Sequence, residues 1–217
     1  MTMKSSQILL LGSDSVGKTS IIIRYIENTF TSSQLSTIWI DFKTKIIKME
    51  NGEQIKLTIT DTPGQERFNS LSKNYCHKAH GIIIVYDITR RDSFKDARNW
   101  IYYIRNNIST KVPILLVGNK IDIEEHRNVS IEEGKDMAEE HELIFLECSA
   151  RTWANVDSIF QKLADTIYKI YHNYVEKRKE HKAYNGLYEE ILKSKKIVKI
   201  NLNKLNKYIS FWYNLLF

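Results

Sequence analysis

The chain has 217 residues, 42% of them hydrophobic and 27% charged, enough apolar material for one globular domain and an extension. Its formal charge of +6 resides at one end: residues 178–217 hold nine basic and three acidic side chains, whereas residues 1–177 hold 23 of each sign. With a neutral body the net charge gives no sign of nucleic acid, none is expected as a partner, and any basic partner surface lies in the tail.

Cys76 and Cys148 are the only cysteines and neither has metal-ligand spacing, so disulfide and zinc frameworks are excluded and a reducing compartment is expected. The first apolar run begins at Ile8 and stops before Gly12, too short for a signal peptide or a membrane span, so the protein is expected in the cytoplasm.

In chain order, Ile8–Leu11 reads as a buried strand and Lys18–Glu27 as a helix. Between them lies Gly12-Ser-Asp-Ser-Val-Gly17-Lys18-Thr19, which matches GxxxxGK[ST] in the strand-to-helix context that makes the motif credible. By chance such a match occurs roughly once in a hundred chains of this length. The glycines let the loop wrap phosphates, and the backbone N–H groups and helix N-terminus meet them with partial positive charge. Lys18 reaches the β and γ oxygens and the Thr19 hydroxyl ligates Mg²⁺. The phosphate-binding set here is Ser15, Val16, Gly17, Lys18, Thr19 and Ser20.

Next, Ile55, Leu57 and Ile59 alternate with polar residues after an Asn51-Gly52 turn, which predicts a hairpin. That strand ends in Asp61-Thr-Pro-Gly64-Gln65: Asp61 is placed to hold a metal-bound water, Gly64 to offer a bare N–H to a γ-phosphate, and Gln65 to orient an attacking water. Taken alone, DxPG is more often turn chemistry than a site.

Three βα units follow: Gly81–Asp87 with Ser93–Ile108, Ile114–Val117 with Ile131–His141, and Leu143–Glu147 with Val156–Val175. Asn119-Lys120-Ile-Asp122 follows the second of these strands. A carboxylate accepts two parallel hydrogen bonds from guanine but faces an acceptor on adenine, a penalty on the order of several kcal/mol that selects GTP over ATP. The stem of Lys120 can lie over the base. Ser149-Ala150-Arg151 after the third strand can supply an N–H to the guanine oxygen. The expected fold is therefore α/β of the P-loop NTPase type: a mixed six-stranded sheet with one antiparallel edge pair, helices on both faces, and the ligand beyond the carboxyl ends of the parallel strands.

These motifs, together with Ser36-Thr-Ile-Trp-Ile-Asp-Phe42-Lys43, Lys56 to Phe68, Ile84-Val-Tyr-Asp-Ile-Thr89 and Asn99-Trp100, resemble the Rab branch of the Ras-like small GTPases from about Gln7 to Tyr171. The resemblance implies a Ras-like G domain over residues 1–177 that binds GTP and GDP with Mg²⁺ and hydrolyses GTP slowly, on the order of 10⁻⁴ s⁻¹. It also implies exchange factors, activating proteins and effectors as partners in vesicle trafficking. By the family's pattern Thr37 touches Mg²⁺ and the γ-phosphate, giving a metal set of Thr19, Thr37 and Asp61, and Phe30 packs against the guanine. Thr37 also reads as turn chemistry in a Ser/Thr-rich loop.

The departures are specific. Asp14 and Ser15 stand where Rabs usually carry Ser and Gly, which sets a carboxylate near the γ-phosphate and the space an activating arginine needs. Pro63 replaces Ala, Trp39 replaces Gly, and Thr60 replaces Trp, so the effector-reading aromatic triad keeps Phe42 and Tyr75 without its middle member. A GTP-bound scaffold with little hydrolysis is the alternative that Asp14 and Pro63 suggest; an ATP-using P-loop enzyme is disfavoured by Asp122.

His77 and His80 read as surface residues, Cys148 as a small buried hydrophobe, and Tyr168, Tyr171 and Tyr174 as the docking face of the last helix. The tail, residues 178–217, has no cysteine for the prenyl anchor Rabs normally carry. Val198, Leu202, Leu205, Ile209, Trp212 and Leu216 recur at helical spacing, so peripheral attachment to an endomembrane surface on the cytosolic side stands beside a disordered extension as the expectation.

Overall fold

The computed structural model describes residues 5–31, 37, 40–63, 74–108, 112–193 and 208–210, with side chains given as far as 182 and again at 208–210. Six strands form one sheet: β1 (Ser5–Leu11), β2 (Asp41–Lys48), β3 (Gln54–Asp61), β4 (Gly81–Asp87), β5 (Ile114–Asn119) and β6 (Ile144–Cys148). Their order is β2-β3-β1-β4-β5-β6, with β2 and β3 antiparallel and every other pair parallel. β4 and β5 are buried along their whole length, as expected of near-continuous Ile/Leu/Val runs covered on both faces. The Asn51-Gly52 turn closes the hairpin, with Gly52 at φ +85° and Asn51 Oδ1 accepting from the Glu53 N–H at 3.1 Å.

Helix α1 (Lys18–Glu27) and the part of α4 (Val156–Lys193) up to Tyr171 cover one face, and α2 (Arg91–Asn107) and α3 (Ile131–Glu140) the other. One core layer packs Ile8, Leu10, Ile21 and Tyr25 against Ile159, Phe160 and Leu163; Tyr25 and Phe160 stack with centroids 4.0 Å apart. The second packs Leu9, Leu11, Ile82 and Ile84 against Phe94, Trp100, Ile101 and Met137. Ser130 caps α3 with a capping box closed by Glu133.

The chain forms two compact units, residues 1–171 and 172–217. The last helix is longer than its sequence pattern predicts, ending at Lys193 rather than Val175. Residues 176–193 contain no proline and a single glycine, Gly186, and an i,i+3 pair joins Lys179 to Glu176 at 2.7 Å, so the rise in Lys content near Arg178 carries no stop signal. Tyr168 and Tyr171 pack against the first core layer, and Tyr168 accepts a hydrogen bond from Asn51 at 2.8 Å. Tyr174, expected on the same docking face, is 60% exposed. Of the tail stripe, Ile209 lies in a helical turn at residues 208–210, and Val198, Leu202, Leu205, Trp212 and Leu216 lie outside the described residues.

Candidate functional site

β1 is flanked by β3 on one side and β4 on the other, so the loop leaving its carboxyl end emerges where the crossovers diverge, the position at which open α/β sheets bind ligands. A cleft of about 630 Å³ opens there. Residues 12–20 form its floor. Gly12, at φ +144°, passes so close to β4 that a Cβ would lie 2.2 Å from the Val85 carbonyl oxygen. At Gly17, φ +95°, a Cβ would lie 2.4 Å from Asn119 Nδ2.

Every carbonyl from Gly12 to Val16 accepts from a side-chain donor. Lys18 Nζ donates to Gly12 O at 2.8 Å and Ser13 O at 3.0 Å; an Arg90 Nη donates to Asp14 O at 2.6 Å; Lys120 Nζ donates to Ser15 O at 2.9 Å; Asn119 Nδ2 donates to Val16 O at 2.8 Å. Lys18 is buried, and that burial pushes its ammonium down to about 8 although Asp61 and Asp14 pull it up. Ser15 sits in the left-handed region at φ +59°, a conformation glycine adopts freely and serine does not.

Beside the loop, three oxygens converge. Thr19 Oγ1 lies 2.6 Å from Asp61 Oδ2 and 2.7 Å from Thr37 Oγ1, with Thr37 Oγ1 3.4 Å from Asp61 Oδ2. Asp61 Oδ1 is buried without a hydrogen-bond partner, and burial holds this carboxyl above the usual range against the opposing pull of Thr19, Lys18 and Thr37. Hard oxygen donors around a buried carboxylate suit a small divalent cation.

At the other end of the cleft, Asn119 and Cys148 end adjacent strands and Ser149, Ala150 and Arg151 follow. Asn119 Oδ1 accepts from the Ala150 N–H at 3.3 Å and from the Cys148 thiol at 3.4 Å. Cys148 is fully buried, and burial raises its pKa, so it is the hydrophobe expected and also a donor that orients Asn119. Asp122 accepts from Ser149 Oγ at 2.5 Å, and Arg151 lies 3.9 Å from its other oxygen. Phe30 lines the cleft, as do Ser15, Ser20, Lys120 and Asp122. Gly64 and Gln65 lie outside the described residues, as does Trp39. Phe42 is 50% exposed, its ring centroid 5.9 Å from that of Tyr75, while Thr60 is buried. His80 is at the surface, accepting from the Gln7 N–H at Nδ1, and burial lowers its pKa; among the described residues no cluster of metal-type ligands occurs.

Sequence reasoning missed four residues. Asp87, 1% exposed, takes Lys120 Nζ at 2.7 Å on one oxygen and the Thr89 N–H and hydroxyl on the other, fixing the direction of the lysine stem. Arg24 donates to Ala150 O at 2.8 Å, and its guanidinium lies 5.7 Å from the Trp153 ring and 5.9 Å from the Phe30 ring. Arg127 binds Glu124 and Glu147, bridging the segment after Asp122 to the strand before Ser149. Arg90 is the fourth. A carboxylate closing an all-apolar strand was a readable signal for Asp87; Arg24 and Arg90 reach their main partners across loops, and of the two carboxylates that Arg127 binds only Glu124 is local.

The sheet order, the Gly-rich loop after β1 and the two loops that follow β5 and β6 are those of a P-loop domain of the G-protein kind. Residues 7–169 match the profile of the Ras family. Ras-related protein Rab-13 of Rattus norvegicus is 46% identical over 161 residues, 74% of this chain and 79% of that protein. GTP-binding protein ypt2 of Schizosaccharomyces pombe is 43% identical over 75% of this chain and 81% of its own length, and Ras-related protein Rab-12 of Mus musculus 43% over 75% and 67%. The chain belongs to the Ras family and is Rab-like within it. It binds guanine nucleotide, hydrolyses GTP, and works as a GTP/GDP switch in membrane trafficking through regulators and effectors; this kinship favours the hydrolysing switch over the scaffold. Among the described residues no helix is long and apolar enough to cross a membrane.

Proposed function

We propose that residues 12–20 hold the phosphates of GTP or GDP, that Asn119, Lys120 and Asp122 with Ser149, Ala150 and Arg151 hold the guanine against Phe30, and that Thr19, Thr37 and Asp61 hold Mg²⁺. The observation that carries this reading is the convergence of the Thr19, Thr37 and Asp61 oxygens, one carboxylate oxygen of Asp61 unpaired, beside the buried ammonium of Lys18. Bound Mg²⁺ neutralises charge on the β- and γ-phosphate oxygens. The carbonyls of Asp14, Ser15 and Val16, held by Arg90, Lys120 and Asn119, leave the N–H groups that follow them aimed at the phosphates before the nucleotide arrives. Lys18 supplies the point charge at the phosphates. Asp122 accepts from the base edge while Ser149 and Arg151 hold its oxygens in direction. Gln65 orients the attacking water, and Gly64 contacts the γ-phosphate.

Asp14 lines the phosphate end of the cleft and crowds the approach of an arginine from an activating protein. Residues 1–177 constitute the GTPase domain; within the basic extension 178–217, residues 191–217 supply weak, reversible attachment to an endomembrane on its cytoplasmic face.

The test is nucleotide competition. Wild type should bind GDP at least ~100-fold more tightly than ADP, because a buried carboxylate facing the wrong base edge costs several kcal/mol. Asp122→Asn should lose most GDP affinity and gain affinity for xanthosine diphosphate, whose carbonyl accepts from the new amide. Unchanged GDP binding in Asp122→Asn removes that residue from the site. Gln65→Leu should retain GTP binding and slow single-turnover hydrolysis; an unaltered rate removes Gln65 from the reaction.

A further inference from the structure

Resting on the phosphate-site reading above, we propose that Arg90 is a positioning residue for the phosphates: by holding the Asp14 carbonyl outward it keeps the next peptide N–H, that of Ser15, facing the cleft. Four of the five loop carbonyls are held by Lys18, Asn119 and Lys120, residues of the nucleotide motifs themselves. The fifth, that of Asp14, is held by a side chain outside any motif.

The peptide in question is also where the loop is under strain. A carbonyl and the following N–H point in opposite directions from one rigid plane, so whatever fixes the Asp14 oxygen fixes the Ser15 hydrogen. Ser15 lies at φ +59°, where an L side chain costs energy and a peptide flip would relieve it. The Arg90 hydrogen bond opposes that flip.

Arg90 is launched from a stiff turn. Its N–H donates to Asp87 O at 3.0 Å, and its carbonyl accepts from the Ser93 N–H at 3.1 Å and the Ser93 hydroxyl at 2.7 Å, Ser93 being buried. The same stretch grips the loop a second time, because Ser13 Oγ donates to Asp96 Oδ2 at 2.5 Å. The start of α2 thus brackets residues 13 and 14. Arg90 is not among the residues that line the nucleotide cleft; it lines a separate recess with Ser13, Asp14 and Asp96, so the Asp14 carbonyl it holds points away from the phosphates.

Release of fluorescent GDP from the full chain tests the assignment, with thermal unfolding of each variant as the control for folding. Arg90→Ala should release GDP about tenfold faster, the lower end for a charge-assisted hydrogen bond at an exposed edge, and Arg90→Lys should fall between the two. Affinity for guanosine, which has no phosphate, should stay within about twofold, since the base loops do not touch Arg90. Ser15→Gly removes the strain, so in that background Arg90→Ala should cost less than about threefold. An unchanged release rate, an equal loss of guanosine affinity, or the same penalty in both backgrounds overturns the proposal. Lys18→Ala separates the two levels: it should abolish GDP binding, and if it binds as wild type does, the phosphate-site reading itself falls.

Discussion

Lys18 is unusual among lysines because its ammonium is buried with two carbonyls for company, which pushes it down to about 8. Phosphate oxygens favour the charged form, so nucleotide binding raises this value and takes up a proton above pH 8. GDP affinity should therefore be flat below about pH 8 and weaken above it, and calorimetry at pH 9 in two buffers of different ionisation enthalpy should register the uptake. Lys18→Met should remove the pH dependence along with most of the affinity, and a wild-type affinity constant from pH 7 to 9.5 would contradict the argument. Fold stability moves the other way. A lysine whose folded value lies below its unfolded 10.5 penalises the free protein below about pH 8, and that penalty is relieved as pH rises from 8 to 10.5.

Between elements, Arg127 plays the part that backbone pairing plays within the sheet. Its guanidinium meets Glu147 with two hydrogen bonds of 2.7 and 2.9 Å and Glu124 with two of 2.7 and 2.8 Å, and a fifth runs to Val129 O. The Glu147 pair is only 14% and 12% exposed. Arg127→Ala leaves Glu147 a shielded, unpaired charge, so unfolding in urea should show a loss of about 3 kcal/mol. A change under 0.5 kcal/mol would mean that water satisfies Glu147 without it.

Elements of this kind separate what the sequence disclosed from what it withheld. β1, β4 and β5 were legible because unbroken Ile/Leu/Val runs have few other uses, and the motifs marked their carboxyl ends. The first arm of the hairpin, Asp41–Lys48, was legible only as the partner that Ile55–Ile59 required, since an edge strand with Lys at 43, 45 and 48 shows little apolar alternation. Of the site, Lys18, Thr19, Asp61, Asn119 and Asp122 were read from local spacing. Asp87, Arg24, Arg90 and Arg127 act through partners 20 to 126 residues away in sequence, or across turns, and a single sequence does not reveal such pairs.

For the whole molecule, the open question is what holds it at a membrane. All the net positive charge lies in residues 178–217, and the stripe of Val198, Leu202, Leu205, Ile209, Trp212 and Leu216 alternates with Lys and Asn. If that stripe inserts into an anionic surface, liposomes rich in acidic lipid should float the full chain and leave behind a chain ending at Lys177, with the difference fading in high salt. Equal flotation of both, or of neither, would sink attachment through the tail.

At the far side of the sheet, β2 has one edge that no other strand among the described residues pairs with, and an open edge of that sort is a template on which further strands can be added. Lys43 and Lys45 turn from it toward α1, Lys43 to Glu27 at 3.4 Å and Lys45 to the Tyr25 carbonyl at 2.6 Å with its ammonium 3.8 Å from the Tyr25 ring centre. A newcomer extending the sheet would have to strip water from these ammonium groups to lay its own apolar face on that side. The exposed Ile46, at 65%, and Phe42, at 50%, face the other way, so what invites assembly is confined to the face opposite the lysines. The lysines that bind this hairpin to its helix thereby also guard the protein against polymerising along its own rim.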